Sequence, residues 1–233
     1  MVSKISGAPF PTYAAKQTEH NTRKIGAQLA SGKKINTAAD NAAGLAISQK
    51  LLKEANSLNA YSNNYQSKVN YNNVAEGGLS QISDAYNDMF ANSIRAMNGV
   101  LSDSDIEAIA SNSNALKETA NHLSETATYN EQKVISGLDA SFDAMNPDAV
   151  KSAASDLMSK QVDFGAETNG LNHAIGVNKI NAENTIAAQS RIEDTEMNKA
   201  VSAYKAQQTI GAFQNMLQRN SMNNSVVSSL FGL

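Results

Sequence analysis

The composition of this 233-residue chain, 41% hydrophobic but only 6% aromatic and without tryptophan, favours thin apolar seams between helices over one thick core, and hence an elongated protein. Its 19 Lys and Arg residues against 22 Asp and Glu give a net charge of −3, which argues against nucleic acid or an anionic membrane as a partner. The absence of cysteine excludes disulfides and thiolate chemistry, and no run of about 18 apolar residues indicates a membrane span.

Prolines restrict where helices can form. The chain has three, Pro9, Pro11 and Pro147, so long stretches on both sides of Pro147 lack the residue that most disrupts a helix interior. Because the first two prolines obstruct a helix, the N-terminal helix is expected to begin only near Thr12. Two long helical halves are therefore permitted.

A turn is predicted after the first helix. Gly32 is suited to ending that helix, and Asn36 or Thr37 can turn the chain into the next one. Just beyond, residues 42–44 (Ala-Ala-Gly) offer a surface thin enough for another backbone to approach closely.

Two apolar stripes with alternating steps of three and four predict a helical hairpin, with arms near 44–98 and 104–130. Asn98 followed by Gly99 is a good stop for the first arm. Residues 104–107, Ser-Asp-Ile-Glu, are interpreted as the capping box that starts the second. The stripes consist of Leu51, Ala55, Leu58, Ser62, Tyr65 and Val69 in the first arm, and of Ile106, Ile109, Ser113, Leu116, Ala120, Leu123 and Ala127 in the second.

The helical pattern weakens between about 131 and 168. Gly137 and the break at Asn146 and Pro147 indicate a tip or return connection there. A third long helical stretch is predicted over 171–217, where apolar residues recur at helical spacing.

The predicted fold class is all-α, an elongated antiparallel bundle of long helices with little or no β structure. The two ends, 1–35 and about 200–233, are amphipathic but have no partner in the chain beyond each other. Ordering them costs more than burying their few apolar side chains recovers. We therefore predict ends that are disordered in the free monomer and helical in an assembly. The plainer alternative is a helical bundle with frayed tails.

Catalysis finds little support in the sequence. His20, His122 and His173 are scattered, with no metal-binding histidine pair, no nucleophile elbow and no phosphate-binding glycine loop. Asp103 and Asp105 stand at a predicted helix start, where capping explains them. We predict no catalytic, cofactor-binding or metal-binding residues.

Charged residues cluster at two places. Lys33 and Lys34, the strongest basic spot, are interpreted as solvated. Arg191, with Glu193 and Asp194, either pairs across a close helix contact or faces water, where an ion pair contributes about 0–1 kcal/mol. The residues alone favour the second interpretation.

Five segments resemble signatures of one protein family. Residues 36–48 resemble the N-terminal signature of bacterial flagellins and residues 190–194 their C-terminal one. Residues 29–36, 76–82 and 171–173 agree with the family in sequence and spacing. The resemblance covers essentially the whole chain.

The resemblance implies a structural subunit of the flagellar filament. Residues 1–40 and 196–233 would form its inner-tube domain, and 41–195 its helical shell, with a short connection near 131–168. Because so few residues separate the two halves, the outer domains of the family are expected to be missing. The β-hairpin that the family carries after the second shell helix has no alternating pattern here.

The resemblance also implies which residues pack subunits together near the junction of the N- and C-terminal helices. They are Leu29, Gly32, Asn36, Asp40, Ala43, Gly44, Ile47, Arg191, Ile192, Glu193, Asp194, Val201, Ile210, Phe213 and Leu217.

Implied partners are further copies of the chain in a helical homopolymer, an export chaperone on the C-terminal segment, and hook-associated and cap proteins. The N-terminus lacks the features of a secretory signal, which fits the family's export through the flagellar type III apparatus to the cell exterior without a cleaved signal peptide. Two alternatives stay open, a hook-filament junction protein and an intracellular helical adaptor.

Overall fold

The computed structural model describes residues 12–138 and 141–230, so the predictions about Pro9 and Pro11 lie outside the described residues. Helices dominate these ranges, and the predicted all-α class is confirmed. In chain order the elements are α1 (Thr12–Ser31), α2 (Ala38–Ala96), α3 (Asp103–Thr126), β1 (Thr128–Tyr129), β2 (Gln132–Lys133), α4 (Pro147–Glu193) and α5 (Met197–Leu230).

The chain divides into two compact units. The terminal unit comprises Met1–Ala55 and Asn184–Leu233, and the central unit comprises Asn56–Glu183. The division falls inside α2 and α4, so each of these helices contributes to both units.

The core of the central unit is built from α2, α3 and α4. Leu79, Ile82 and Met89 of α2 are fully buried, and Val150 and Leu157 of α4 join the same cluster. The predicted stripe of α3 is confirmed as a face that is buried or half-buried along its length. Apolar residues at helical spacing therefore form the seams that the sequence predicted.

β1 and β2 pair in an antiparallel hairpin. Asn130 and Glu131, which join them, have φ values of 50° and 65°, as a tight two-residue turn between strands requires. Val134 and Ile135 follow and are buried. Gly78 leaves room for Ile135, because a Cβ there would lie 2.7 Å from its Cδ1. The sequence showed no strand pattern because two-residue strands are too short to alternate.

The predicted start of the second arm is wrong by two residues. α3 is capped by Ser102 rather than Ser104, and the Ser102 hydroxyl accepts a hydrogen bond from the Asp105 amide at 3.3 Å. The Asp105 carboxylate accepts one in return from the Ser102 amide at 3.2 Å. An aspartate in place of the usual glutamate or glutamine completes the capping box.

The predicted connection over 131–168 is also wrong in its second half. α4 begins at Pro147, where the missing N–H would have had no partner within the helix. The Asn146 side chain caps this start by accepting hydrogen bonds from the Asp148 amide at 3.0 Å and the Ala149 amide at 3.3 Å. The proline is thus a helix start rather than a break.

The third predicted helix is interrupted. α4 ends at Glu193 and α5 begins at Met197, so the expected continuous stretch over 171–217 is wrong at 194–196. Main-chain groups in this link hydrogen-bond to another segment of the chain, as described below. The local spacing of apolar residues gives no indication of such a contact.

α5 packs against α1 in the terminal unit. A Cβ on Gly26 would lie 3.6 Å from the Tyr204 ring, and one on Gly211 would lie 3.7 Å from the Thr18 methyl. Thr18 and Gly26 follow each other along α1, whereas the residues of α5 that face them, Gly211 and Tyr204, run in the reverse order. The two helices are therefore antiparallel. Their predicted disorder in the free monomer stays a prediction.

Candidate subunit-packing junction

Two connections of the terminal unit meet at what we call the terminal junction, the turn 32–37 between α1 and α2 together with the segment 189–196 at the end of α4. Gly32 ends α1 with φ of +73°, a left-handed conformation that favours glycine. Its carbonyl accepts a hydrogen bond from the Thr195 amide at 2.8 Å. The prediction that Gly32 ends the first helix is confirmed.

A short antiparallel bridge joins the two segments. Lys33 lies opposite Asp194, and the Lys34 amide donates to the Glu193 carbonyl at 2.7 Å. These bonds satisfy main-chain groups that the ends of α1 and α4 would otherwise leave unpaired. The junction therefore fixes two distant parts of the sequence by backbone contact.

The Glu193 side chain lies at the centre of the junction and is only 6% exposed. Its carboxylate pairs with Lys33 Nζ at 2.6 Å and accepts hydrogen bonds from the Ser48 hydroxyl and the Gln189 amide. The hydrogen bond from Lys33, followed by that from Ser48, lowers the pKa of Glu193. The same contact with Glu193 raises the pKa of Lys33.

The interpretation of the two lysines as solvated is incomplete, because both residues are exposed but each also has a partner in the junction. Lys33 pairs with Glu193, and Lys34 Nζ donates to the Arg191 carbonyl at 2.8 Å. Arg191 contributes its main chain, while its side chain is exposed. The Asp194 carboxylate accepts a hydrogen bond from the Ser190 hydroxyl.

Glu193→Gln is expected to weaken the junction by about 1–2 kcal/mol, because the amide loses the ion pair with Lys33 and cannot accept from all three donors. Hydrogen exchange of the Lys34 and Thr195 amides measures this directly, since both bond across the bridge. Glu196→Gln is the matched control, as its pair with Lys199 is well exposed and should contribute little to stability. Equal exchange rates in the two variants would contradict the central role of Glu193.

Asp40 organises the turn into α2. One carboxylate oxygen accepts hydrogen bonds from the Asn36 and Thr37 amides, each at 3.1 Å, and the other pairs with Lys24 Nζ at 3.0 Å. The hydrogen bond with Lys24, followed by those from the two amides, lowers the pKa of Asp40 to about 2.

Asp40→Asn is expected to lower the melting temperature at neutral pH and to lose that effect in acid. The folded pKa of about 2 lies below the ordinary 3.8, so the stabilisation is complete above about pH 4 and disappears as the pH falls towards 2. Thermal unfolding followed by circular dichroism from pH 7 to pH 2 tests this. Asn36→Ala is the control, because it keeps the amide that Asp40 accepts from. If the melting temperature of Asp40→Asn differs from that of the wild type by the same amount at every pH, the prediction is wrong.

Gly44 lies close to the same turn. Asn41 has an extended backbone inside α2, and its side chain accepts a hydrogen bond from the Gly44 amide at 2.8 Å. A Cβ on Gly44 would lie 2.8 Å from the buried Ile35 Cδ1. In the single chain, the thin surface at Gly44 is thus filled by a side chain of the preceding turn.

The structure brings some of the predicted packing residues together and leaves others apart. All lie in the terminal unit. Those in or next to the junction are Gly32, Asn36, Asp40, Gly44, Arg191, Ile192, Glu193 and Asp194. Leu29 and Leu217 are half-buried in helices, and Ala43, Ile47, Val201, Ile210 and Phe213 are exposed. Their role in subunit packing stays a prediction.

Sequence reasoning missed several junction residues. Ser48, Gln189 and Lys24 bind the two central carboxylates, yet each is an ordinary polar residue on a helix. The one signal in the sequence was the opposite charge of Lys33 and Glu193, which could have indicated that these two residues pair. Their separation in sequence hid it.

A groove of about 290 Å³ lies beside the junction. Its apolar lining comes from Ile25 of α1 and Ala200 and Ala203 of α5, and charged residues including Lys34 and Glu196 border it. Within the described ranges, no helix is long and apolar enough to cross a membrane. Likewise, no group of three His, Asp or Glu residues among those described could hold a metal ion.

Comparison with known proteins gives consistent matches. A family model described as the bacterial flagellin N-terminal helical region matches residues 12–140, more than half of the chain. Flagellin FlaB2 of Treponema pallidum is 26% identical over 284 aligned positions, covering 99% of each chain.

Two other relatives match over about a third of their own length. A flagellin of Clostridium tyrobutyricum is 33% identical over 118 residues, 51% of this chain and 31% of the relative. The flagellar filament 41 kDa core protein of Borreliella burgdorferi is 30% identical over 121 residues, 52% of this chain and 36% of the relative. The matched regions thus span only about a third of these two relatives.

Proposed function

Because the chain belongs to the bacterial flagellin family, we propose that it is a structural subunit that polymerises into the flagellar filament and serves motility. The observation that carries this proposal is the apolar surface of α5. Val201, Ile210 and Phe213 are all exposed on this helix, although water is an unfavourable environment for such side chains. A second copy of the chain would cover them.

The arrangement of the terminal unit supports this role. α1 and α5 pack against each other, and the junction joins the end of α1 to the start of α5, so both helices together can offer the apolar residues of α5 to another copy. The groove beside the junction offers a further apolar surface with a charged border, as protein interfaces commonly do. Contacts repeated from copy to copy without closing into a ring produce a fibre.

The division of labour within the subunit follows from the family resemblance. In this proposal 1–40 and 196–233 contribute to the inner tube of the filament, and 41–195 form the shell around it. The residues of the terminal junction join the first part of the tube domain to the end of the shell, next to the start of the second part. The role is structural rather than catalytic.

Export and assembly need further partners. We propose that the chain leaves the cell through the flagellar type III apparatus without a cleaved signal peptide and that an export chaperone binds the segment 201–233, whose apolar residues suit a hydrophobic groove. Hook-associated and cap proteins would contact the polymer at its two ends. The filament then lies outside the cell.

Polymerisation of the purified chain tests the proposal. Raising the salt concentration should produce long helical fibres visible by electron microscopy, and limited proteolysis should remove both ends from the monomer but not from the fibre. Short or closed assemblies would favour the hook-filament junction protein. A compact monomer with protected ends at every salt and protein concentration would favour the intracellular adaptor and overturn the proposal.

A further inference from the structure

The sequence contains two Asn-Gly pairs, both in the central unit. They are Asn98-Gly99 and Asn169-Gly170, and all four residues are exposed. A Cβ on either glycine would meet nothing within 4 Å. The pairs therefore share their chemistry and their access to water, and they differ in backbone conformation.

Asn98 lies in the turn between α2 and α3. The described hydrogen bonds of this turn include those from the Asn98 amide to the Arg95 carbonyl at 3.1 Å and from the Leu101 amide to the Asn98 carbonyl at 3.2 Å. The Val100 amide donates to the Asn98 side-chain oxygen at 3.4 Å. The Gly99 amide is not among the donors described for this turn.

Asn169 lies inside α4. Every interior amide of an α-helix donates to the carbonyl four residues earlier, which for Gly170 is that of Ala166. This hydrogen bond and the helical dihedral angle of Asn169 hold the Gly170 nitrogen away from the Asn169 side chain. Reaction between them requires local opening of the helix.

We propose that Asn98 is a site of spontaneous covalent modification, at which the following backbone nitrogen displaces the side-chain nitrogen as ammonia. The Gly99 nitrogen attacks Asn98 Cγ, a C–N bond forms, the Cγ–Nδ2 bond breaks, and the proton from Gly99 leaves with the ammonia. The product is a five-membered succinimide. Water then opens either carbonyl, which leaves aspartate in a normal main chain or isoaspartate with the main chain routed through the side chain.

Glycine and the turn each favour this reaction. Gly99 has no Cβ to hinder the approach of its nitrogen, and the turn does not hold that nitrogen in a helical ladder. The same features at Gly170 are offset by the hydrogen bond of α4. The chain therefore carries its own control for the effect of conformation on an identical dipeptide.

The modification changes the end of α2. A new carboxylate would stand at the negative end of the helix dipole, where negative charge is unfavourable. It would also lie beside Met97 and Val100, whose side chains are 72% and 85% exposed. Isoaspartate further lengthens the main chain between α2 and α3. The turn at the hairpin end thus acquires charge and loses its regular geometry.

Timed incubation of the folded, purified chain in mildly alkaline buffer tests the proposal. Trypsin separates the two sites into peptides 96–117 and 161–179, and mass spectrometry follows conversion of amide to acid in each. An isoaspartyl methyltransferase assay identifies the isoaspartate. We expect the initial rate at Asn98 to exceed that at Asn169 by about tenfold or more, which corresponds to about 1.4 kcal/mol of helix opening.

Two controls make the result decisive. In concentrated urea the two sites should react at similar rates, because the helix around Asn169 is lost, and Gly99→Ala should slow the reaction at Asn98 in the folded chain. Equal rates in the folded chain would overturn the proposal. So would a difference that persists in urea, or a rate that Gly99→Ala leaves unchanged. The measurement uses the unpolymerised chain, so its outcome is separate from that of the polymerisation experiment.

Discussion

Replacing Ile210 and Phe213 together by serine is expected to raise the critical concentration for polymerisation by about 10- to 150-fold. The two side chains are 44% and 57% exposed in the single chain, so about half of each stays available for burial against another copy. Burying a whole side chain of this type contributes about 1.5–3 kcal/mol, and burying the exposed halves of both therefore contributes about 1.5–3 kcal/mol in total. Each 1.4 kcal/mol changes the equilibrium about tenfold.

Sedimentation of fibres over a range of protein concentrations gives the critical concentration. The matched control replaces two exposed polar residues of the same helix, Gln208→Ser and Gln218→Ser, and removes no apolar surface. Circular dichroism of both monomers should match the wild type, since the substituted residues are exposed. If the double apolar variant polymerises at the wild-type concentration, the exposed surface of α5 is not a subunit contact.

Replacing Ile82 by alanine is expected to destabilise the central unit by about 2–5 kcal/mol. Ile82 is fully buried with Leu79 and Met89. Its removal therefore loses the transfer energy of the side chain and leaves a cavity that helices of a packed bundle cannot close completely. Hydrogen exchange of the α2 amides around residue 82 reports the stability of this unit separately from the rest of the chain.

Ile94→Ala is the matched control for this prediction. Ile94 lies on the same helix and in the same unit but is 51% exposed, so the same change of side chain removes far less buried surface. Its effect should stay below about 1 kcal/mol. A loss of similar size in both variants would contradict the role of burial, because alanine is the better helix former at both positions and propensity cannot explain a loss.

The α3 stripe from Ile106 to Ala127, which is buried or half-buried as predicted, illustrates how well helical spacing indicates the core. Leu79, Ile82 and Met89 recur at helical spacing and are buried together, because side chains three or four residues apart face the same way on a helix. Periodicity is a local property, and long helices express it directly. The stops at Gly32 and at Asn98 with Gly99 were predicted for the same reason, since each acts on its own backbone.

Helix starts were harder to predict where two local interpretations competed. Pro147 both breaks a preceding helix and suits the first turn of a following one, and only the burial of Val150 and Leu157 selects the second. Ser102 and Ser104 stand two residues apart, and each has an acidic residue three positions later. Which serine caps α3 depends on how the chain arrives from α2.

The terminal junction is the part that sequence reasoning could not assemble. Lys33 and Glu193 are distant in the chain, and their ion pair at 2.6 Å exists only because the backbone bridge brings the two segments together. Lys34 illustrates the same point, since its partner is a main-chain carbonyl of α4. A carbonyl is present at every residue, so it gives no signal in the sequence.

By itself, the sequence determined the long helices, their buried stripes and the family to which the chain belongs, because periodicity and contiguous signature segments are local in the chain. Only the tertiary structure decided which helix ends meet, which charges pair and where α4 gives way to α5. Those outcomes depend on the distance between groups far apart in sequence. Hydrogen bonds and ion pairs form only when the two groups come into contact, whatever the local sequence pattern around each of them.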